Sequence, residues 1–247
     1  MYLKTNGLVL REIEYKDHDK LLTVLTEDYG KMTMKARGVR RKASPLKAAC
    51  QLLTYGEFTL FEYRDMATIN EAQPIALFSK IRTDLDLLSL GSYFAQVAEV
   101  LSQEDAPNPE LLSLTLNALY AIGELGKPPA LVKAAFELRA ACIAGFTPDL
   151  SGCHCCGNPQ GDFLDLSAGC LECANCRDAS SQGIRMPLTP GMLAALRYLV
   201  QCDARKLFSF RLPEETLDKL SSVTESYLTT QLERGFSALD FYKSLIF

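Results

Sequence analysis

The hydrophobic period changes once along the chain, and that change sets what the chain can fold into. From Tyr2 to Ile75 apolar residues recur at every second position. They are rich in β-branched and aromatic types and broken by turn signals, the pattern of half-buried strands. Five strands are predicted, near Lys4 to Tyr15, Lys20 to Thr26, Lys31 to Arg37, Leu52 to Tyr63 and Ala67 to Gln73, with Asp28-Tyr29-Gly30 turning between the second and third. A short helical segment is predicted at Pro45 to Cys50. Five strands with an insertion after the third, in about 75 residues, suit a small closed barrel, because closure removes exposed edges. An OB-type barrel is expected, and an SH3-like barrel fits nearly as well.

Beyond Pro74 the apolar residues return every three or four positions. Leu85, Leu88, Phe94, Val97 and Leu101 form one such stripe, and Leu111 to Leu125 and Leu131 to Ile143 form two more, so three amphipathic helices are predicted to pack together. Pro107 and Pro109 precede the second, Lys127-Pro128-Pro129 separates it from the third, and Gly145 stands where a C-terminal glycine ends a helix. Thr189-Pro190 reads as an N-cap with proline in the first turn of a helix to about Gln201, and Glu214 to Leu232 gives one more. The expected class is α+β: a barrel domain at 1–78, then a mostly helical domain at 79–247 carrying a cysteine-rich insert at about 148–182.

Composition excludes several classes. Forty-eight per cent hydrophobic and 23 per cent charged residues describe a soluble globular chain. The longest uncharged run, Leu111 to Gly123, has 13 residues, too few for a hydrocarbon core that needs roughly 20. The N-terminal residues meet charge too early for an export signal, so no membrane association and a cytoplasmic location are expected. The net charge of −4 hides an asymmetry. Residues 1–50 hold 11 Lys+Arg against 6 Asp+Glu, while the remainder holds 15 against 24. An anion-binding surface is expected near the N-terminus of an otherwise acidic protein.

Six of the nine cysteines fall within 24 residues. Cys153-His154-Cys155-Cys156-Gly157 and Cys173-Ala174-Asn175-Cys176 form CxxC-x16-CxxC, the spacing of a four-thiolate zinc site. Two residues between thiols let a tight knuckle turn both sulfurs onto one ion. Gly161 to Gly169 is the expected hairpin between knuckles. Cys153, Cys156, Cys173 and Cys176 are the expected ligands, with Cys170 in place of Cys176 as the main rival and Cys155 and His154 in the same stretch. Four thiolates close the coordination shell, so the zinc is read as structural. Cys50, Cys142 and Cys202 stand in apolar contexts and read as buried small hydrophobes.

The densest charge feature runs from Lys31 to Lys47, with seven cations and no acidic residue. Lys31, Lys35 and Arg37 share one face of a strand, and Gly38-Val39-Arg40-Arg41-Lys42-Ala43-Ser44 is a loop able to close on phosphates. Lys31, Lys35, Arg37, Arg40, Arg41 and Lys42 are therefore the expected nucleic-acid contacts, and Tyr29, Phe58, Phe61 and Tyr63 are candidates to stack bases. Two unrelated histidines build no Ser-His-Asp set, and neither GxxxxGK[ST] nor a GxGxxG after a strand occurs. No catalytic residue is expected. Two other readings stay open: a metal-dependent nuclease using Glu12, Glu14, Asp17 and Asp19, and an RNA-binding zinc-ribbon protein.

Gly7-Leu8-Val9-Leu10, Tyr15, Asp19 to Leu22, Thr26 to Lys31, Ala36 to Arg41 and Ser44-Pro45-Leu46 together resemble the N-terminal signature of the bacterial recombination mediator family RecO. Ala144-Gly145-Phe146-Thr147-Pro148-Asp149-Leu150, running into Cys153-x-x-Cys156-Gly157 and out through Gly169 to Cys173-x-x-Cys176, resembles its later part. The resemblance implies an N-terminal OB-fold, a helical C-terminal domain and a zinc-binding insert. It also implies a non-enzymatic role: binding and annealing single- and double-stranded DNA, engaging the acidic tail of single-strand-binding protein, and acting with RecR to load RecA in recombinational DNA repair. Arg37, Arg40, Arg41 and Lys42 match the family's basic loop, and Cys153, Cys156, Cys173 and Cys176 its zinc ligands. The family's usual Gly-Gly pair before the second knuckle is here Gly169-Cys170. Lys133 and Arg139, on the third helix, are the candidate cations for the acidic tail.

Overall fold

A computed structural model describes residues 2–64, 66–176 and 183–246. Strands β1 (Tyr2–Tyr15), β2 (Asp19–Thr26), β3 (Lys31–Ala36), β4 (Tyr55–Tyr63) and β5 (Met66–Ala76) close a barrel in the order β1-β2-β3-β5-β4. Strand β1 serves two neighbours. Its first half runs antiparallel to β4 from Tyr2 opposite Phe61, and from Gly7 opposite Thr26 it also pairs with β2 as far as Tyr15 opposite Asp19, with a register shift between Val9 and Arg11. The closing pair is parallel, Met34 of β3 opposite Ala67 of β5 and Lys35 opposite Thr68. With its insertion after β3, the barrel is of OB type, and the SH3-like alternative falls.

The alternation that defines the strands also fills the barrel. Val9, Leu22, Val24, Met34, Phe58, Leu60 and Ile69 point inward, joined by Val39, Leu46 and Cys50 from the insertion. Burial pushes the Cys50 thiol up to about 12, so it behaves as the small hydrophobe expected. Pro45 to Cys50 is a run of turns, not the predicted helix, with Cys50 N–H donating to Leu46 C=O at 3.1 Å. Its residues are spent delivering Leu46, Ala49 and Cys50 to the core, and no regular ladder forms.

By packing the chain divides into two units, Met1–Gly126 with Phe236–Phe247, and Lys127–Gly235. In the first, the barrel is followed by α1 (Ser79–Thr83), α2 (Leu85–Leu101) and α3 (Pro109–Gly123), and α7 (Ser237–Ile246) packs on α2. Asp84 caps α2 by accepting from the N–H of Asp86 and Leu87, and Asn108 caps α3 through Leu111 N–H at 3.0 Å. Gln96 of α2 fixes the start of α7, donating to Ser237 Oγ at 3.0 Å and accepting from Ala238 N–H at 3.1 Å.

The second unit holds α4 (Pro129–Ile143), α5 (Pro190–Gln201), α6 (Glu214–Gln231) and a four-stranded sheet in the order β6-β8-β7-β9. Its strands are β6 (Asp149–Cys153), β7 (Phe163–Asp165), β8 (Cys170–Glu172) and β9 (Arg185–Pro187). Gly145, at φ 93°, ends α4 as expected: its N–H reaches Cys142 C=O at 3.0 Å and Phe146 N–H reaches Ala141 C=O at 2.9 Å. Thr189 caps α5 through Met192 N–H. The hairpin between knuckles is β7–β8, with its turn at 166–169.

Candidate nucleic-acid surface and metal centre

The basic segment leaves β3 and turns over the start of β2. Gly38, at φ 65°, opens the turn, and its N–H donates to Asp19 Oδ1 at 2.8 Å. Asp19 Oδ2 lies 3.3 Å from Lys35 Nζ. The Gly38 N–H, followed by Lys35 and the field of Arg37, holds the Asp19 carboxyl below the usual range against the opposing effect of burial. Lys35 also stands 5.0 Å over the Tyr15 ring. Arg40 reaches Glu14 at 3.1 Å and the Asp17 carbonyl at 3.3 Å, while Lys31 Nζ donates to the Glu99 carbonyl at 2.9 Å. Arg37, Arg41 and Lys42 are exposed. The six sequence-predicted cations thus fall into two sets: three already engaged within the fold, and three facing water.

The candidate aromatics separate as sharply. Phe58 is fully buried, which corrects the expectation that it stacks bases: Leu60 and Phe58 share the inward parity of β4. Tyr29 packs against the barrel core. Phe61 and Tyr63, on the opposite parity, are 39% and 60% exposed. Tyr2, which the sequence pattern does not single out, is 69% exposed and lies beside Phe61, the two rings tilted with centroids 5.2 Å apart. Its pairing partner across β4 becomes visible only once the register is known.

Three of the carboxylates considered for a nuclease are paired with neighbouring cations instead. Glu12 pairs with Lys20 at 2.9 Å, Glu14 with Arg40, and Asp19 with Lys35. Among the described residues the group able to hold a metal ion is the cysteine cluster.

There the two knuckles meet. Cys153, Cys156, Cys173 and Cys176 bring their sulfurs within 4.8 Å of one another, with Cys156 and Cys173 at 3.7 Å. Four sulfurs about 2.3 Å from a central ion lie about 3.8 Å apart at regular tetrahedral geometry, so the spacing fits one metal ion. Gly152 permits the first knuckle to fold, since a Cβ there would lie 2.9 Å from Gly157 C=O. The Cys156 N–H, then that of Cys173, bring the Cys153 thiol down to about 6, whereas hydrogen bonding to Cys156 and Cys173 raises Cys176. Cys170 lies in β8 opposite Asp165, Cys155 is exposed, and His154 N–H donates to Leu171 C=O. Below the cluster Arg185 of β9 is bound by Glu172 and lies 3.7 Å from Asp165, tying the last strand to the hairpin.

Lys133 and Arg139 are not surface cations for an acidic tail. Lys133 is buried between Glu137 at 2.9 Å and Glu225 at 2.7 Å, and Arg139 donates to the carbonyls of Leu199 and Cys202, each at 2.7 Å. Both lie on helix stripes that the fold turns inward.

Fold and site together define an OB-barrel protein with a basic loop and a four-cysteine, metal-capable insert. Two family models match it, "Recombination protein O N terminal" over residues 1–78 and "Recombination protein O C terminal" over 82–240. The chain is 34% identical over 247 residues to a DNA repair protein RecO of Acetivibrio thermocellus, covering 99% of this chain and 97% of that one. It is 30% identical over 234 residues to one of Desulfitobacterium hafniense, with 93% and 85% covered. A third, from Alkaliphilus metalliredigens, is 29% identical over 248 residues, with 99% and 100% covered. The chain belongs to the recombination protein O family. Its role lies in recombinational DNA repair and it is not an enzyme. No helix among the described residues is long and apolar enough to cross a membrane.

Proposed function

We propose that this chain is a recombination mediator that holds single- and double-stranded DNA on its barrel, anneals complementary strands, and acts with RecR to load RecA onto strands coated by single-strand-binding protein, whose acidic tail it engages. It acts in the cytoplasm, at the nucleoid. The observation that carries this reading is the exposed triad Arg37, Arg41 and Lys42 on a loop anchored by Asp19. Those three side chains meet phosphates directly. Lys35 and Arg40 exchange a carboxylate for a phosphate as the strand arrives, and Lys31 adds to the local field. The chemistry is electrostatic, with no covalent step, so pairing of strands needs neither nucleotide nor added magnesium.

The resident metal in this reading is zinc, held by Cys153, Cys156, Cys173 and Cys176. Four thiolates leave it no open position, and it supplies cross-linking of two knuckles rather than reactivity. The chain's own residues set the geometry: Gly152 allows the close turn, and backbone N–H groups stabilise the thiolates.

A salt titration of single-stranded DNA binding tests the reading. In a variant with Arg37, Arg40, Arg41 and Lys42 all changed to Ala, affinity falls and the log-log slope flattens by up to roughly 3, at about 0.7 for each phosphate no longer neutralised. An unchanged slope with intact binding would move the DNA to another face.

A further inference from the structure

The barrel register builds one row of outward side chains across four strands. Lys35 of β3 stands opposite Thr68 of β5, Thr68 opposite Phe61 of β4, and Phe61 opposite Tyr2 of β1. Their flanking neighbours Met34, Ala36, Ala67, Ile69, Leu60 and Leu3 are buried, which fixes the row outward. Tyr63, two residues beyond Phe61, extends the same face. Three aromatic rings on neighbouring outward positions form an apolar surface that folding leaves in water.

What meets this surface is indicated by its borders. Lys35, over the Tyr15 ring, bounds the row at its β3 end, and Arg64 lies 5.2 Å from the Tyr63 ring, along β4 from Phe61. Two residues beyond Lys35 is Arg37, the first cation of the loop already assigned to phosphates. A ligand on this face therefore presents flat apolar faces to the rings and negative charge to the cations beside them. Unpaired nucleobases on a phosphate backbone have that chemistry; a purely apolar peptide does not match the cations. Three strand spacings of about 4.8 Å make the row about 14 Å long. Sheet platforms of this kind stack two or three bases.

We infer that Tyr2, Phe61 and Tyr63 form a base-stacking platform that selects single-stranded over double-stranded DNA, using the phosphate contacts of the basic loop to bring the strand in. This rests on the DNA-binding reading above and deepens it. Duplex bases are already stacked within the helix and cannot reach the rings, so the platform contributes to single strands alone. The basic loop, in contrast, serves both.

The chain contains no Trp, so Phe61→Trp places a single reporter in the row. Adding a twenty-nucleotide oligo(dT) quenches its fluorescence, and a duplex of the same length at saturating concentration does not. In the double variant Phe61→Ala with Tyr63→Ala, affinity for oligo(dT) falls about 10-fold or more, by the alanine cost of base–aromatic stacking, while duplex affinity changes less than about 2-fold. Its salt slope stays that of the wild type, because every phosphate-binding cation remains in place. Phe61→Leu with Tyr63→Leu keeps apolar area and removes the rings; it loses as much single-strand affinity as the alanine pair. Oligo(dT) binding unchanged in both pairs, with the slope still dependent on the basic loop, overturns the platform and leaves the loop reading standing. Leucine variants that bind like wild type overturn it equally, and assign the face to a protein partner. A wild-type chain that binds neither DNA form overturns both readings.

Discussion

The Asp19 carboxylate accepts the backbone N–H of Gly38 at 2.8 Å and so joins the start of β2 to the loop that leaves β3. The same carboxylate draws in Lys35 at 3.3 Å. An acidic residue in the middle of a cationic surface is unfavourable for DNA affinity, yet here it gives the loop a fixed point of departure. Changing Asp19 to Ala frees both partners and destabilises the protein by about 1 kcal/mol. Asp19→Asn retains an oxygen for Gly38 and releases Lys35, so it binds oligonucleotides more tightly at low salt than the wild type.

The acid dependence of that interaction follows from the lowered Asp19 pKa. A carboxyl titrating lower when folded contributes fully above its unfolded value, about 3.9, and the contribution disappears as pH falls through the folded value. The difference in thermal midpoint between wild type and Asp19→Asn is therefore constant above about pH 5 and closes in more acidic buffer. A difference that grew on acidification would contradict the assignment.

Gly30 gives a sharper test of local geometry. It sits at φ +66°, and a Cβ would lie 2.5 Å from Gln103 C=O and 2.6 Å from Ala106 C=O, where the segment after α2 approaches the β2–β3 turn. Backbone atoms cannot give way as a flexible side chain can. Gly30→Ala is expected to cost about 2 kcal/mol or more, from the left-handed conformation plus the clash. Gly126→Ala, at φ +58° with nothing within 4 Å, bears only the conformational cost of about 1 kcal/mol. Thermal melts of the two variants side by side measure the difference.

What could be read in the sequence was what is encoded locally. The strand alternation of Leu22, Val24, Met34, Leu60 and Ile69, the caps at Thr189 and Gly145, and the two CxxC knuckles all carry their signal within a few residues. The short helices α1 and α7 do not. Phe236, Leu239 and Tyr242 recur at threes but over less than three turns, and α7 owes its order to Tyr93 and Gln96 of α2, about 140 residues away. The fate of individual cations was equally non-local. Arg139 and Lys133 look like any lysine or arginine of an amphipathic helix, and only the packing of α4 on α5 and α6 shows that Lys133 is buried and Arg139 is turned onto backbone carbonyls. Phe58 against Phe61 was a matter of strand parity, which a sequence leaves undetermined by one residue.

Lys133 supplies a stability prediction in place of a docking one. Glu137 beside it is fully buried and also accepts from Thr224 Oγ1 at 2.8 Å. Desolvation works against the charged lysine, but Glu137 and Glu225 together outweigh it and raise its pKa, so the lysine is held charged. Lys133→Ala leaves carboxylates without their counter-charge and destabilises the second unit by about 3–5 kcal/mol. Lys133→Met with Glu137→Leu removes one charge of each sign and recovers much of that loss. Urea unfolding followed by helical circular dichroism reads both; equal stability of Lys133→Ala and wild type would mean that the buried ion pair is not formed.

The cysteine cluster is tested by separating four sulfurs from the two that lie nearby. Purified protein is expected to carry one zinc per chain, and Cys153→Ser, Cys156→Ser, Cys173→Ser or Cys176→Ser each to lower that content. Cys155→Ser and Cys170→Ser leave it intact, because neither residue belongs to the group whose sulfurs converge. Binding also carries a proton signature. Backbone N–H groups lower the Cys153 thiol, while hydrogen bonding to its neighbours raises that of Cys176. Zinc binding at pH 7 must displace the protons that remain, so calorimetry in buffers of differing ionisation enthalpy registers proton release. Affinity accordingly falls as pH is lowered. Removal of zinc by a chelator lowers the melting temperature of the metal-bearing unit and leaves the barrel's contribution to oligonucleotide binding in place, as a structural ion requires. Loss of barrel binding on chelation would instead make the metal part of the DNA site.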